Sequence, residues 1–209
     1  MSQDELTLGA QQLAIELTPA QHQALSNYVA LLHKWNKVYN LTAIRDPQQM
    51  IAHHLLDSLA VLPHLWAGRW LDVGCGAGLP GMVLAIMRPD WSFTLLDSNS
   101  KKTGFVQQAV IELGLKNVTV RCARVEDLQD ELFDGIISRA FTELGDFLQI
   151  SQHLLANNGR WAAMKGLAEK ELHAVSDACC VETVHVLQVP GLLAARSLVV
   201  VSKREGAAI

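Results

Sequence analysis

The residues best placed to do chemistry lie in one run, Leu71-Asp72-Val73-Gly74-Cys75-Gly76-Ala77-Gly78-Leu79-Pro80-Gly81. An apolar stretch closes on a carboxylate, three glycines follow at alternate positions, and an apolar helical pattern begins at once. Glycines at this spacing let the backbone turn sharply and let a ligand lie against it, because no Cβ intervenes and positive φ carries no steric cost. The helix start that follows offers unpaired N–H groups to whatever is bound. Asp97 stands 23 residues beyond Gly74. That is near the roughly 20 at which an acidic residue after the second strand takes ribose hydroxyls. A glycine turn alone is a weak signal. Between a predicted strand and a predicted helix, with Asp97 behind it, the turn marks a site for a nucleotide-like cofactor, with contacts at Gly74, Gly76 and Asp97.

Two cofactor classes use such a turn, NAD-type dinucleotides and S-adenosylmethionine. Asp72, just before the glycines, suits a cationic amino-acid moiety and is awkward beside a pyrophosphate. The glycines at 74, 76 and 78 run G-x-G-x-G, with Gly81 beyond them. S-adenosylmethionine has no phosphate, so less depends on capture by a helix dipole. These features favour S-adenosylmethionine and leave a dehydrogenase as the weaker alternative.

The elements that must position these residues follow a strand–helix alternation. Strands are predicted at 70–73, 92–96, 117–122, 133–138, 160–164, 181–189 and 197–202, with helices at 79–87, 101–113, 142–155 and 168–178. The helix after Lys101 closes at Gly114, and the one after Leu79 stops before Pro89. This order predicts an α/β fold with a doubly wound, mostly parallel sheet of seven strands, whose ligand sits at the carboxyl ends of the strands. The last two strands, joined through Pro190-Gly191, read as an antiparallel hairpin at one edge. Residues 1–65 read as a helical extension and 66–209 as the Rossmann-like domain. In the extension, Thr18-Pro19-Ala20-Gln21 is a capping box. The helix it opens carries Leu25, Tyr28, Val29, Leu32, Trp35 and Tyr39 on one stripe. Asp46-Pro47-Gln48-Gln49 opens another, with Met50, Ile51, His54, Leu55, Ser58 and Leu62 on its face.

Composition narrows the function classes. The chain has 209 residues, 50% hydrophobic and 18% charged, which rules out wholesale disorder. A net charge of −4 does not advertise nucleic acid, so any such role must rest on a local patch. Cys75, Cys122, Cys179 and Cys180 lack zinc or disulfide spacing and read as reduced thiols of a cytoplasmic protein. The polar, acidic start does not resemble a signal peptide, and the most apolar late run, 192–201, is interrupted by Arg196 and too short for a bilayer. His53, His54 and Asp57 have helical spacing but lack further ligands, so packing or hydrogen bonding is expected there and no metal. Asn40 reads as a turn or cap.

The glycine turn with Asp97 resembles the class I methyltransferase signature. More narrowly, the chain resembles the RsmG family, also called GidB, which methylates guanine N7 in small-subunit ribosomal RNA. The matching pieces are Lys34-Trp35-Asn36-Lys37, Tyr39-Asn40-Leu41-Thr42 and His54-Leu55-Leu56-Asp57-Ser58. They continue with Gly78-Leu79-Pro80-Gly81, Leu96-Asp97-Ser98 with Lys101, Arg124-Val125-Glu126 and Ser138-Arg139-Ala140. Cys75, where the family often has Thr, and Lys102, where Arg is common, are small departures. The resemblance implies a class I (Rossmann-like) methyltransferase fold. It also implies S-adenosylmethionine contacts at Gly74, Leu79, Val125, Glu126 and Arg139, and 16S ribosomal RNA or the small subunit as partner. The expected activity is methyl transfer to N7 of one specific guanine. A cofactor-binding assembly factor without catalysis, or a methyltransferase on another substrate, is the alternative.

Guanine N7 is a lone pair at neutral pH, so this reaction needs no general base and no catalytic acid or base is expected. The work is orientation, which can supply about 7–11 kcal/mol. Arginine ordinarily reads guanine through O6 and N7, which would occupy the lone pair being methylated. The base is therefore expected to be held by its Watson–Crick edge and by stacking. The cations then fall to phosphates, with Lys34, Lys37, Arg45, Lys165 and Arg196 as candidates. Trp35 and Tyr39 are core residues first, by their stripe.

Overall fold

A computed structural model describes residues 2–129 and 131–204. The N-terminal helices are α1 (Ser2–Gln12) and α2 (Pro19–Tyr39). A third begins as α3 (Pro47–Met50), widens into a π-turn (Ile51–Leu56) and ends as α4 (Asp57–Leu59). The Thr18 hydroxyl accepts from Gln21 N, and the Gln21 side chain accepts from Thr18 N, as the capping box predicts. Replacing Thr18 by Ala removes about 1 kcal/mol. Leu25, Tyr28, Val29 and Leu32 bury the expected stripe. Tyr39 departs from it: the helix outruns the body it packs on, and Tyr39 is exposed, stacked on a half-buried Trp35 at 5.3 Å. Asn36 is buried instead. Its amide donates to Ile44 O and accepts from Thr42 N, which pins the loop after the helix.

The sheet comprises β1 (Arg69–Val73), β2 (Ser92–Asp97), β3 (Val118–Cys122), β4 (Phe133–Arg139), β5 (Leu155–Lys165), β6 (Cys179–Leu187) and β7 (Arg196–Lys203). Their order is β3-β2-β1-β4-β5-β7-β6. The first five pair in parallel, and β7 inserts antiparallel between β5 and β6. The chain winds outward from β1 to β3, then restarts beside β1 with β4. The switch point therefore lies at the carboxyl ends of β1 and β4, where ligands of open α/β sheets bind.

Helices α5 (Gly81–Met87), α6 (Ser100–Leu113) and α7 (Leu144–Ser151) follow β1, β2 and β4. Asn99 caps α6 by accepting from Lys101 N and Lys102 N, and Gly114 ends it at φ +65°. One apolar cluster joins the N-terminal helices, α5 and α6 to one set of strand side chains; Trp70 and Phe93 are fully buried in it. A second cluster joins α7 to the alternate side chains, with Trp161 buried and its Nε1 donating to Ser151 Oγ at 3.0 Å. Burying each such side chain contributes about 1.5–3 kcal/mol.

After α7, two segments differ from the sequence prediction. The expected helix over 168–178 is a pair of single 3₁₀ turns, Ala168–Lys170 and Leu172–Ala174. Between them Glu171 accepts from Leu144 N and pairs with Lys165, tertiary bonds that override helix propensity. Strand β5 begins earlier than expected, running through Asn157-Asn158-Gly159. A Cβ at Gly159 would press on Phe133 O and the Leu155 side chain, so the glycine accommodates the irregular register there.

Candidate active site

The glycine turn is built from β1 outward. Gly74 and Gly76 stand at φ +67° and +58°, which L side chains avoid. A Cβ at Gly76 would meet nothing nearer than Gly74 O at 4.0 Å, and Gly76 itself lines neither of the clefts described below. Cys75 N donates to Leu96 O at 3.0 Å, which ties the turn to the end of β2. From behind, the Tyr28 hydroxyl donates to Ala77 O at 2.6 Å, so helix α2 holds the turn from below.

The helix after the turn differs from expectation. It begins at Gly81, two residues late, and its first N–H donates to Asp72 Oδ2 at 2.8 Å. Asp72 is fully buried and lies outside both clefts described below. The role expected for it, meeting a cationic ligand, is replaced by anchoring this helix start. Burial pushes its carboxyl up to about 7 against the opposing Gly81 bond, and Oδ1 has no hydrogen-bond partner among the described residues. Burial, with Asp72 and Asp97 nearby, also raises the Cys75 thiol well above its ordinary value, so it is no nucleophile.

Two clefts of about 410 and 490 Å³ open at the switch point. The first is lined by Gly74, Asp97, Lys102, Val125, Glu126 and Phe141, among others. Asp97 Oδ2 accepts from Gly76 N at 2.9 Å and Oδ1 from Asn99 N at 2.8 Å. Each carboxylate oxygen keeps a lone pair for a further donor such as a ribose hydroxyl. Val125 is buried at the start of a 3₁₀ turn, and Glu126 beside it is exposed. Leu79 is buried behind the turn and does not line the cleft.

The second cleft is lined by Arg139, Arg196, Asp57, His54, Lys165 and Glu171, among others. Ala140 and Phe141 line both clefts and form the wall between them. Ala140 turns at φ +50°, and the Phe141 ring lies so close over Gly74 that a Cβ there would strike it. Arg139 enters the second cleft, where Nη1 donates to Asp57 Oδ2 and to His53 O, each at 3.0 Å. The π-turn makes this possible. Asp57 N donates to Ala52 O, five residues back. The His53 carbonyl that an α-helix would use is thus left for Arg139. Arg196 Nε donates to Asp57 Oδ1 at 2.9 Å. His54 Nε2 lies 3.0 Å from Thr42 Oγ1, and burial together with the Arg139 charge lowers its ring to about 4, leaving it neutral.

The family model described as rRNA small subunit methyltransferase G, GidB, matches residues 21–200. The chain belongs to this family. A relative named ribosomal RNA small subunit methyltransferase G, from Laribacter hongkongensis, is 52% identical over 94% of this chain and 96% of its own length. The fold is similar to that of TrmN from Thermus thermophilus, with a TM-score of 0.57, 18% identity, and 81% of this chain and 53% of that one covered. It is also similar to a SAM-dependent methyltransferase from Thiobacillus denitrificans in complex with S-adenosyl-L-homocysteine. There the TM-score is 0.51, the identity 13%, and the coverage 71% of this chain and 90% of that one. The protein is an S-adenosylmethionine-dependent methyltransferase. The first cleft fits that cofactor: the Gly74 backbone with the Phe141 ring over it, a carboxylate with spare acceptors, and an apolar Val125 beside the polar Glu126.

The cationic candidates divide. Lys34 and Lys37 are exposed on α2, and Arg45 is exposed with its guanidinium donating to Asn40 Oδ1. Asn40 itself caps α2 in the left-handed conformation. Lys165 is nearly buried and engaged by Glu171 at 2.6 Å and Thr142 O. Asp57, where packing or hydrogen bonding was expected, is the partner of two arginines from distant segments, which its helical neighbours do not announce. Phe141 went unremarked in the sequence. The available signal was a large apolar residue directly after Ser138-Arg139-Ala140, where a strand ends at the ligand edge.

Proposed function

We propose that this methyltransferase transfers the methyl group of S-adenosylmethionine to N7 of one specific guanine in bacterial 16S ribosomal RNA, in the cytoplasm. Its partner is the RNA itself or the small ribosomal subunit. The observation that carries this reading is the pair of clefts meeting at Phe141, in a chain so similar to relatives that bear the ribosomal name. The donor cleft is assigned to Gly74, Gly76, Asp97, Val125 and Glu126, with Leu79 packed behind, and Arg139, which lines the second cleft, as a cofactor contact from that side. Residues 1–65 act as the extension that presents Lys34, Lys37 and Arg45 to RNA, and residues 66–209 as the catalytic domain.

S-adenosylmethionine supplies an electrophilic methyl carbon on a sulfonium. The chain's task is to align guanine N7 with that carbon, because the nucleophile carries its own lone pair and no proton moves. The groups present agree with this. The imidazole of His54 is buried and engaged with Thr42, Asp57 is held by two arginines, and Cys75 stays a thiol. Asp97 orients the donor side by fixing Gly76 while keeping acceptors for hydroxyls. Phe141 presents an exposed ring at the boundary, suited to stacking on a base.

The test is to map modified nucleotides in ribosomal RNA from cells with and without this protein. The expected result is the loss of a single N7-methylguanosine, restored when purified protein and S-adenosylmethionine are added to the undermodified RNA. An unchanged map, or incorporation at a different atom or RNA, would sink the proposal.

A further inference from the structure

The last turn of α2 carries an aromatic ladder that neither cleft uses. The Phe105 ring, fully buried on α6, stands 5.7 Å from the Trp35 ring, and Tyr39 stacks on Trp35 at 5.3 Å and 29°. Phe105 thus holds Trp35, and Trp35 holds the Tyr39 ring one turn further out. Tyr39 is 43% exposed. Among the described residues no other ring, no cation and no hydrogen-bond partner meets its side chain. An open aromatic face already set in orientation gives up little freedom when a ligand stacks on it.

The loop after the helix ties this ring to the second cleft, the one that takes the methyl acceptor. Tyr39 precedes Thr42 by three residues, a span of at most about 11 Å. Thr42 Oγ1 meets His54 Nε2 at 3.0 Å, and His54 and Ile44 both line that cleft. Asn36 fixes the loop through Thr42 N and Ile44 O. Residues 37–45 hold two cations, Lys37 and Arg45, and no carboxylate. The next carboxylate, Asp46, is engaged in capping, where it accepts from Gln48 N. The carboxyl end of a helix carries partial negative charge. It disfavours a phosphate directly at Tyr39 and leaves the neutral ring face as the attractive surface.

We propose that Tyr39 is a stacking platform for an unpaired base of the RNA strand, a neighbour of the guanine in the acceptor cleft. The proposal rests on the function proposed above and adds a contact outside both clefts. Every base has a π-face, so the platform grips the strand without reading its sequence. Lys37 and Arg45 meet the phosphates on either side. With one base held at Tyr39, the strand enters the acceptor cleft from a fixed point, which is what alignment of N7 demands.

The test uses a synthetic RNA hairpin carrying the target loop, with an abasic site at one nucleotide at a time. Each is bound to the full-length protein loaded with S-adenosylhomocysteine. One abasic site, other than the target guanine, costs the unaltered protein about ten- to a hundredfold in affinity. Tyr39→Leu binds the intact loop more weakly by about that factor, and the same abasic site then costs almost nothing further. Tyr39→Phe keeps both the affinity and the penalty, because the ring stacks and the hydroxyl does not. The penalty survives added salt, unlike the phosphate contacts of Lys37 and Arg45. Both variants keep their affinity for S-adenosylhomocysteine. The platform is overturned if no abasic penalty shrinks in Tyr39→Leu, or if Tyr39→Phe binds as weakly as Tyr39→Leu. It is also overturned if Tyr39→Leu weakens binding only to the whole small subunit, which would mark a protein partner. Because the readout is binding, the two readings separate. A Tyr39-dependent penalty without methyl transfer to N7 keeps the platform and sinks the function; methyl transfer without the penalty does the reverse.

Discussion

The two clefts share a wall and are built on opposite plans. The donor cleft comes from consecutive strand-to-helix turns, and its shape is mostly backbone: Gly74 and Gly76 turned to positive φ, and Asp97 bonded to Gly76 N and Asn99 N. The acceptor cleft is made of side chains from distant segments, with Asp57 from the π-turned helix, Arg139 from the end of β4, Lys165 from β5 and Arg196 from β7. A backbone-built site depends on local sequence and loses ligand affinity when altered. A site of converging side chains depends on the whole fold, so altering it costs stability as well.

The largest expected effect is on the acceptor side. Asp57→Ala leaves two partly buried guanidiniums facing each other without their carboxylate, at a cost of about 3–5 kcal/mol in chemical denaturation. Binding of S-adenosylhomocysteine to the folded fraction stays as it was. If affinity for it falls in step with stability, the two plans are not separate. Next comes Asp72, which anchors the donor turn from inside the core. Its folded carboxyl, at about 7, lies above the unfolded value of 3.8, so the native state binds the extra proton between those values. Native stability therefore falls relative to Asp72→Asn as pH rises from about 4 to 7, with a slope approaching about 1.4 kcal/mol per pH unit, and the difference is flat above that. Unfolding curves across that range give the slope, and parallel curves for the two proteins would contradict it.

On the donor side, Asp97→Ala is expected to weaken S-adenosylhomocysteine binding about ten- to a hundredfold by calorimetry, with little change in stability. A stability loss as large as that of Asp57→Ala would erase the contrast between the clefts. The smallest effect is expected from Tyr28→Phe. It removes the hydroxyl bonded to Ala77 O and costs about 1–2 kcal/mol, in a core that otherwise keeps its ring. Part of the cost should surface as weaker cofactor-product binding, since the bond holds the glycine turn. An unaltered affinity would mean that α2 merely packs against that turn.

What could be read in advance follows the same division. The Thr18 box, the glycine turn, Asp97 and the number of strands are local patterns, each decided within a few residues, and they are present in the fold, although the bounds of β5 and β6 differ from those expected. The union of Asp57 with Arg139 and Arg196 was not legible, because nothing near Asp57 announces partners 82 and 139 residues on. The strand at Leu155 and the broken helix after Ala168 failed for a related reason. The helix expected over 142–155 gives way at Leu155, where the chain pairs with Phe133, and Glu171 looks helical until Lys165 and Leu144 N claim it. Burial of Asn36 and exposure of Tyr39 likewise depend on where the neighbouring body ends.

The π-turn at Ile51–Leu56 has a consequence for how this chain tolerates length changes. A helix of this kind holds a surplus residue inside one wide turn, so trimming a position within it lets the coil relax to ordinary pitch while the residues beyond keep nearly their orientation. The same trim in a regular helix would turn everything downstream by about 100°. Asp57 would therefore stay near both guanidiniums, and the loss would fall on Arg139 alone, whose partner His53 O would return to the ladder.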